Sequence, residues 1–189
     1  MSGSVRENAR DLGRWYAPVM LAVTVVIMGA AFLVAWLTFS RVEASGRLGA
    51  DLSLYLGATQ RWISGGGFYP EHQLAGPYLL ADGDILYPPP ILLLITPFLI
   101  LPAPFFWLVP LGALAAVIVR HRPRPWAWPL MAIGLAFPIT SLKVVHGNPV
   151  MWIVAALALG TAYAWPSVFV LLKPSLAPFA LIGARHRSW

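Results

Sequence analysis

Residues 17–39 read APVMLAVTVVIMGAAFLVAWLTF, a run of 23 residues without a charge. As an α-helix this run measures about 35 Å, which exceeds the roughly 30 Å hydrocarbon core of a bilayer. Arg6, Arg10 and Arg14 precede it, as basic residues precede a cleaved signal peptide, but a signal core is only about 7 to 15 residues long. The run is therefore read as a transmembrane anchor. Composition agrees, since 59% of the residues are hydrophobic and 11% charged, with a mean hydropathy of +0.72, against about 25% charged residues in a soluble domain. The expected fold class is all-α, a polytopic helical membrane protein with about 4–6 membrane segments, one long external loop carrying a juxtamembrane helix, and broken or re-entrant helices. Residues 1–189 are expected to form a single membrane domain.

Working outward, the next apolar run, 91–119, is interrupted by Pro97, Pro102, Pro104 and Pro110. Proline removes a backbone donor and clashes with the preceding turn, so one straight helix is not expected. A short, partly inserted segment near 91–101 followed by a spanning helix over 104–119 fits better. Residues 126–142 read as a third span and 150–165 as a fourth. Residues 167–183 form a last apolar segment broken at Lys173-Pro174.

Arg120-His121-Arg122-Pro123-Arg124 and Arg185-His186-Arg187 flank these spans. Cytoplasmic loops collect Lys and Arg, so the N-terminus, residues 120–124 and the C-terminus are expected inside, in the inner or plasma membrane, and residues 40–90 outside. A fifth full crossing would place Arg185 and Arg187 outside, and a re-entrant 167–183 segment bent at Lys173-Pro174 removes that conflict. The net charge of +6 is explained by contact with anionic lipid headgroups, without nucleic acid. The chain has no cysteine, which excludes disulfides, thiolate catalysis and cysteine metal sites.

Scarce acids mark the polar loop. Of seven acidic residues, Glu43, Asp51, Glu71, Asp82 and Asp84 lie between 40 and 90, and none follows Asp84. Leu52, Tyr55, Leu56, Thr59 and Trp62 recur at helical spacing over 51–62 and could lie on lipid as an interfacial helix. Asp51 at its start is either an N-terminal cap or a base held near the headgroups. Gly65-Gly66-Gly67 ends that helix, and Phe68-Tyr69-Pro70 suits an interfacial aromatic belt. Asp82-Gly83-Asp84 is a turn signal whose carboxylates also suit a hard divalent cation. No metal ligand set is assigned, and that cation is the one cofactor left open. Lys143, His146 and Asn148 gather where the third span ends and the fourth begins, and the N-terminus of a helix favours an anion. Lys173, ionisable within an apolar segment, is a functional candidate by the cost of its burial.

Asp51-x-x-x-Tyr55, Gly67-x-Tyr69, Tyr87-Pro88-Pro89, Pro97-x-x-x-Leu101-Pro102 with Trp107, Gly147-Asn148 and Leu172-Lys173-Pro174 form an ordered set. In order and spacing the set resembles the bacterial polyprenol-phosphate-mannose-dependent mannosyltransferase branch of the GT-C glycosyltransferases, over most of residues 17–187. The glutamine that the family places between Gly147 and Asn148 is missing. The resemblance implies a membrane glycosyltransferase, or its N-terminal half, that moves a sugar such as mannose from a polyprenyl phosphate donor to a hydroxyl of a lipid or glycan acceptor at the external face. It implies Asp51 as the general base. Lys143, His146, Asn148 and Lys173 are the candidates for the donor phosphate, with Tyr55, Tyr69 and Tyr87 as sugar or acceptor contacts. Membrane lipids and a second membrane subunit that supplies further helices are the expected partners. The rival readings are a non-catalytic membrane scaffold or subunit, and a small transporter, for which an inverted repeat is expected and none is evident.

Overall fold

The computed structural model describes residues 3–76, 79, 81, 83–124, 126–163, 165–176, 178 and 179. Asp82 and the Arg185-His186-Arg187 cluster lie outside the described residues, as do the side chains of Arg6, Arg10 and Arg14. Among the described residues the chain is all-helical, with no strand. Two stretches, Pro18–Ala44 and Pro104–His121, are long and apolar enough to cross a membrane. They give the chain the marks of a membrane protein. The coordinates divide into two compact units, residues 1–46 with 121–142, and residues 47–120 with 143–189.

In the first unit, α1 (Gly3–Ala44) packs against α6 (Ala127–Ala136). Ala31 and Ala132 are buried, and small side chains let two apolar helices approach closely. Over the described apolar part of α1 many side chains are uncovered, with Val26 71% and Phe32 72% exposed. Such a surface suits lipid as its solvent. Thr24 and Thr38 turn their hydroxyls back to the carbonyls of Met20 and Val34 at 2.7 and 2.8 Å, so these hydroxyls are satisfied within the helix. The expected third span, 126–142, is not straight. α6 and α7 (Pro138–Val145) meet at a bend of 59°, where Pro138 removes a backbone donor. The bent pair makes a third crossing only if it counts as one span.

The second unit holds α2 (Ala50–Ile63), α3 (Glu71–Ala75), α4 (Leu92–Ile95), α5 (Pro104–His121) and α8 (Val150–Gly160). Short 3-10 helices over Pro89–Ile91 and Thr96–Leu99 flank α4, so the proline-rich 91–101 segment is broken as its sequence requires. Its core joins Tyr55, Phe68, Tyr87, Ile91, Ile95, Phe98, Phe106, Ile153 and Val170. Phe98 meets Phe106 and Trp152 edge to face, with centroids 5.1 and 5.6 Å apart, Phe106 and Trp152 are tilted at 5.8 Å, and the Trp152 indole donates to the Phe106 carbonyl at 3.0 Å. The electron-rich ring faces favour that arrangement and the N–H must be satisfied once buried.

Two sequence expectations change in this unit. Most of the apolar stripe of α2 faces protein, because Leu52, Tyr55 and Thr59 are buried against α4 and the 96–99 segment, while Leu56 is half-buried and Trp62 stays exposed. Helical periodicity gives the width of an apolar face but not which apolar phase covers it. The expected fourth span over 150–165 also divides. α8 ends at Gly160, the chain turns through Thr161 and Tyr163, and a 3-10 helix over Trp165–Leu172 packs back along it. Each leg is about 16 Å long, roughly half the hydrocarbon thickness. The hairpin thus bends near 161–163, and its 3-10 helix ends at Leu172, directly before Lys173-Pro174; of the expected 167–183 segment, residues 177 and 180–183 lie outside the described residues.

Candidate functional site

The site begins with the first turn of α2. Gly49 occupies the cap position with φ +67° and no side chain caps the helix. The carbonyl of His146 does so instead, accepting from the N–H groups of Asp51 at 2.9 Å and Leu52 at 3.3 Å. Those donors would otherwise be orphaned at a helix start. The Asp51 carboxylate is thereby released from capping, which removes the bland reading of this residue. Its Oδ2 accepts instead from Asn148 Nδ2 at 2.5 Å.

Asn148 is buried and held at both ends. Its Oδ1 accepts from the Tyr87 hydroxyl at 2.9 Å and from the Val150 N–H at 3.0 Å. The expected anion site at the start of α8 is thus partly filled from within, because the Asn148 side chain already satisfies the N–H of Val150. Tyr87 arrives on the loop that leads into the 89–99 segment. Its ring meets that of Tyr55 edge to face at 5.5 Å, and its carbonyl accepts from the Tyr69 hydroxyl at 3.3 Å. Burial pushes the Tyr55 hydroxyl up to about 12, with the Asp51 charge adding to the shift. Burial likewise raises Tyr87 above the ordinary tyrosine range, with Tyr55 and Asp51 adding to it. Both phenols are neutral donors at physiological pH.

Lys173 closes the cluster, with its Nζ 5.7 Å from the centre of the Tyr87 ring. A cation over a tyrosine face is attracted by the ring quadrupole. Lys143 lies within electrostatic reach of Lys173 and is exposed. His146 is half-buried, and its contribution to the Asp51 turn is through its carbonyl. The structure thus gathers Asp51, Tyr55, Tyr69, Tyr87, Asn148 and Lys173 into one cluster, with Lys143 and His146 on the turn beside it.

Two supports of this cluster are tertiary. Trp107 donates from its indole to the Val144 carbonyl at 2.7 Å, and its ring covers Gly49 and Gly147. A Cβ at Gly147 would meet Leu52 and Trp107 at 3.0 Å, and the residue has φ +70°, so glycine is required on two counts. The other support is a clasp between α3 and the segment before Tyr87. His72 Nε2 lies 2.8 Å from Asp84 Oδ1, Asp84 Oδ2 accepts from the Ala81 N–H at 2.7 Å, and Gln73 exchanges two hydrogen bonds with the backbone of Ile85. The Ala81 N–H, then His72, hold the Asp84 carboxyl below its ordinary range. Asp84 is thus a turn residue with a further partner. The nearby histidine and glutamine were the available sequence signal for that clasp. Among the described residues no group of three or more His, Cys, Asp or Glu side chains could hold a metal.

The unit also holds an apolar trough made of two adjacent clefts, of about 240 and about 530 Å³, that share Leu94, Val109, Trp152, Phe169 and Leu172 as walls. Leu172 brings the trough to the residue before Lys173. Compared with protein-family models, with curated proteins and with solved structures, the chain matches none of them.

Proposed function

We propose that the chain is a membrane glycosyltransferase of the GT-C type that transfers a sugar, mannose by resemblance, from a polyprenyl phosphate donor to an acceptor hydroxyl. The observation that carries this reading is the Asp51 carboxylate. It is freed from capping by the His146 carbonyl and held by Asn148 in a cluster that also contains Lys173. A base, a fixed donor and a cation next to an apolar trough suit a substrate with an anionic head and a long hydrocarbon tail.

In this reading the tail lies along Leu94, Val109, Trp152 and Phe169, and the phosphate meets Lys173 and Lys143. The acceptor oxygen bonds to the anomeric carbon as the bond from that carbon to the phosphate oxygen breaks. The phosphate leaves with the electron pair, stabilised by the lysines, and Asp51 takes the acceptor proton. Positioning two substrates in one geometry supplies much of the rate. Basic residues at the N-terminus and at 120–124 favour an orientation with 40–90 outside. The 150–172 hairpin is then a re-entrant element entered from that external side.

The test is sugar transfer from polyprenyl phosphate sugars in lipid, with and without whatever subunit copurifies. Asp51→Asn keeps the size of the side chain and an acceptor for Asn148 but loses the base. It is expected to lower turnover by about 10²- to 10⁴-fold while membrane insertion is unchanged. Full activity of this variant would refute the role of Asp51.

A further inference from the structure

Asn148 is a candidate for the donor phosphate by its place in the sequence, but its geometry assigns it another task. The Val150 backbone N–H can only donate, so the Asn148 atom that faces it at 3.0 Å is the carbonyl oxygen. An ionised carboxylate can only accept, so the atom that faces Asp51 is the amide nitrogen. With Oδ1 turned to Val150, the Tyr87 hydroxyl must be a donor in its 2.9 Å bond. A flipped amide would oppose two donors on one side and two acceptors on the other.

We propose that Asn148 is a positioning residue whose amide, locked by Val150 and Tyr87, presents a fixed donor to Asp51 and sets the direction in which that carboxylate faces. Tyr87 belongs to the same device and is a support of the base rather than a sugar contact. The term base rests on the function proposed above, whereas the donor–acceptor assignment does not. The titratable groups around the pair are Tyr55 on α2, Tyr87 on the loop, Lys143 and His146 at the α7–α8 turn and Lys173 at the end of the hairpin. Among the described residues no other hydrogen-bond donor reaches the Asp51 carboxylate, so Asn148 alone fixes its direction.

The test reverses the polarity of the contact. Asn148→Asp is isosteric, still accepts from Val150 and Tyr87 and still caps α8, but it sets a second carboxylate against Asp51. Two carboxylates in contact share a proton. Infrared spectra of the purified protein in lipid are expected to show a protonated-carboxyl band at neutral pH that the parent lacks. The swap variant Asp51→Asn/Asn148→Asp restores one donor and one acceptor, so the band is expected to vanish and the unfolding temperature to return to the parental value. Sugar transfer is expected to be lost in both variants, because the swap leaves no base at position 51.

If the single variant is lost from the membrane, accumulation of the swap variant supports the assignment in the same way. A phosphate contact or a helix cap alone predicts no protonated-carboxyl band in Asn148→Asp. Absence of that band in a folded single variant, or a swap variant no better than the single one, overturns the proposal. A parent without transferase activity would refute the proposed reaction and leave the infrared result standing.

Discussion

Asn148 Nδ2 lies 2.5 Å from Asp51 Oδ2, although the two residues are 97 positions apart. The contact is reinforced from the backbone, because the carbonyl of His146, two residues before Asn148, caps the helix that carries Asp51. The α7–α8 turn and the first turn of α2 are therefore one structural unit. Loss of either side should be felt at the other.

Asn148→Ala removes an acceptor from the Tyr87 hydroxyl and the Val150 N–H and a donor from Asp51. An unsatisfied buried donor and a lost cap together should lower stability by about 2–3 kcal/mol. Thermal unfolding in detergent, followed by circular dichroism, measures it. A fall of under about 0.5 kcal/mol would mean that water replaces the side chain at no cost.

Gly147→Ala meets Leu52 and Trp107 at 3.0 Å in a backbone conformation with φ +70°. The expected loss is about 1–3 kcal/mol. Trimming the obstructing ring with Trp107→Phe should recover only the steric part of that loss, since the backbone strain remains. The double-mutant cycle gives the two contributions separately.

Alkaline pH should act through Tyr55. Its hydroxyl is pushed from 10.0 up to about 12 by burial, so the folded state favours the neutral phenol. The stability it contributes is full below pH 10 and is lost as pH rises from 10 through 12. Tyrosinate absorbance is expected to lag behind that of an unfolded control, and Tyr55→Phe should make unfolding less steep over this range.

Acid should act on the clasp of α3. The Asp84 carboxyl titrates below its ordinary 3.8 because the Ala81 N–H and His72 bond to it. Its contribution is therefore present above about pH 4 and is lost as pH falls through the lower folded value. The His72 side chain is 62% exposed and that of Asp84 5%, so His72→Ala should cost little while Asp84→Ala releases the loop. Limited proteolysis of the 71–87 segment in each variant distinguishes the two.

Lys173→Gln removes the cation over Tyr87 while leaving the stem. If Lys173 meets the donor phosphate, KM for the donor should rise by about 10-fold, equivalent to about 1.4 kcal/mol. Lys173→Arg should recover much of it. Unchanged donor KM in Lys173→Gln would place the phosphate elsewhere.

Several elements were legible in residue order because their causes are local. The charge-free 17–39 run, the proline breaks over 91–101, the helix beginning at Pro104 and the triple-glycine stop after α2 depend on hydropathy and on backbone chemistry carried by the residues themselves. Asp51, Asn148 and Lys173 were singled out as an ordered set. Their distances from one another were not legible, because spacing along a chain does not report approach in space. The length of α8 was hidden for the same reason. Residues 150–165 carry no charge, and a charge-free run cannot show by itself whether it continues through a membrane or turns back on a partner.

The sequence by itself determined a helical membrane protein with one acid-bearing polar loop, because apolar runs must be buried or placed in lipid and scarce charges cannot be hidden. Only the tertiary structure decided what the loop's aspartate does. A helix start leaves donors that something must satisfy. Once the His146 carbonyl, from a distant turn, takes that task, the Asp51 carboxylate is free to face Asn148.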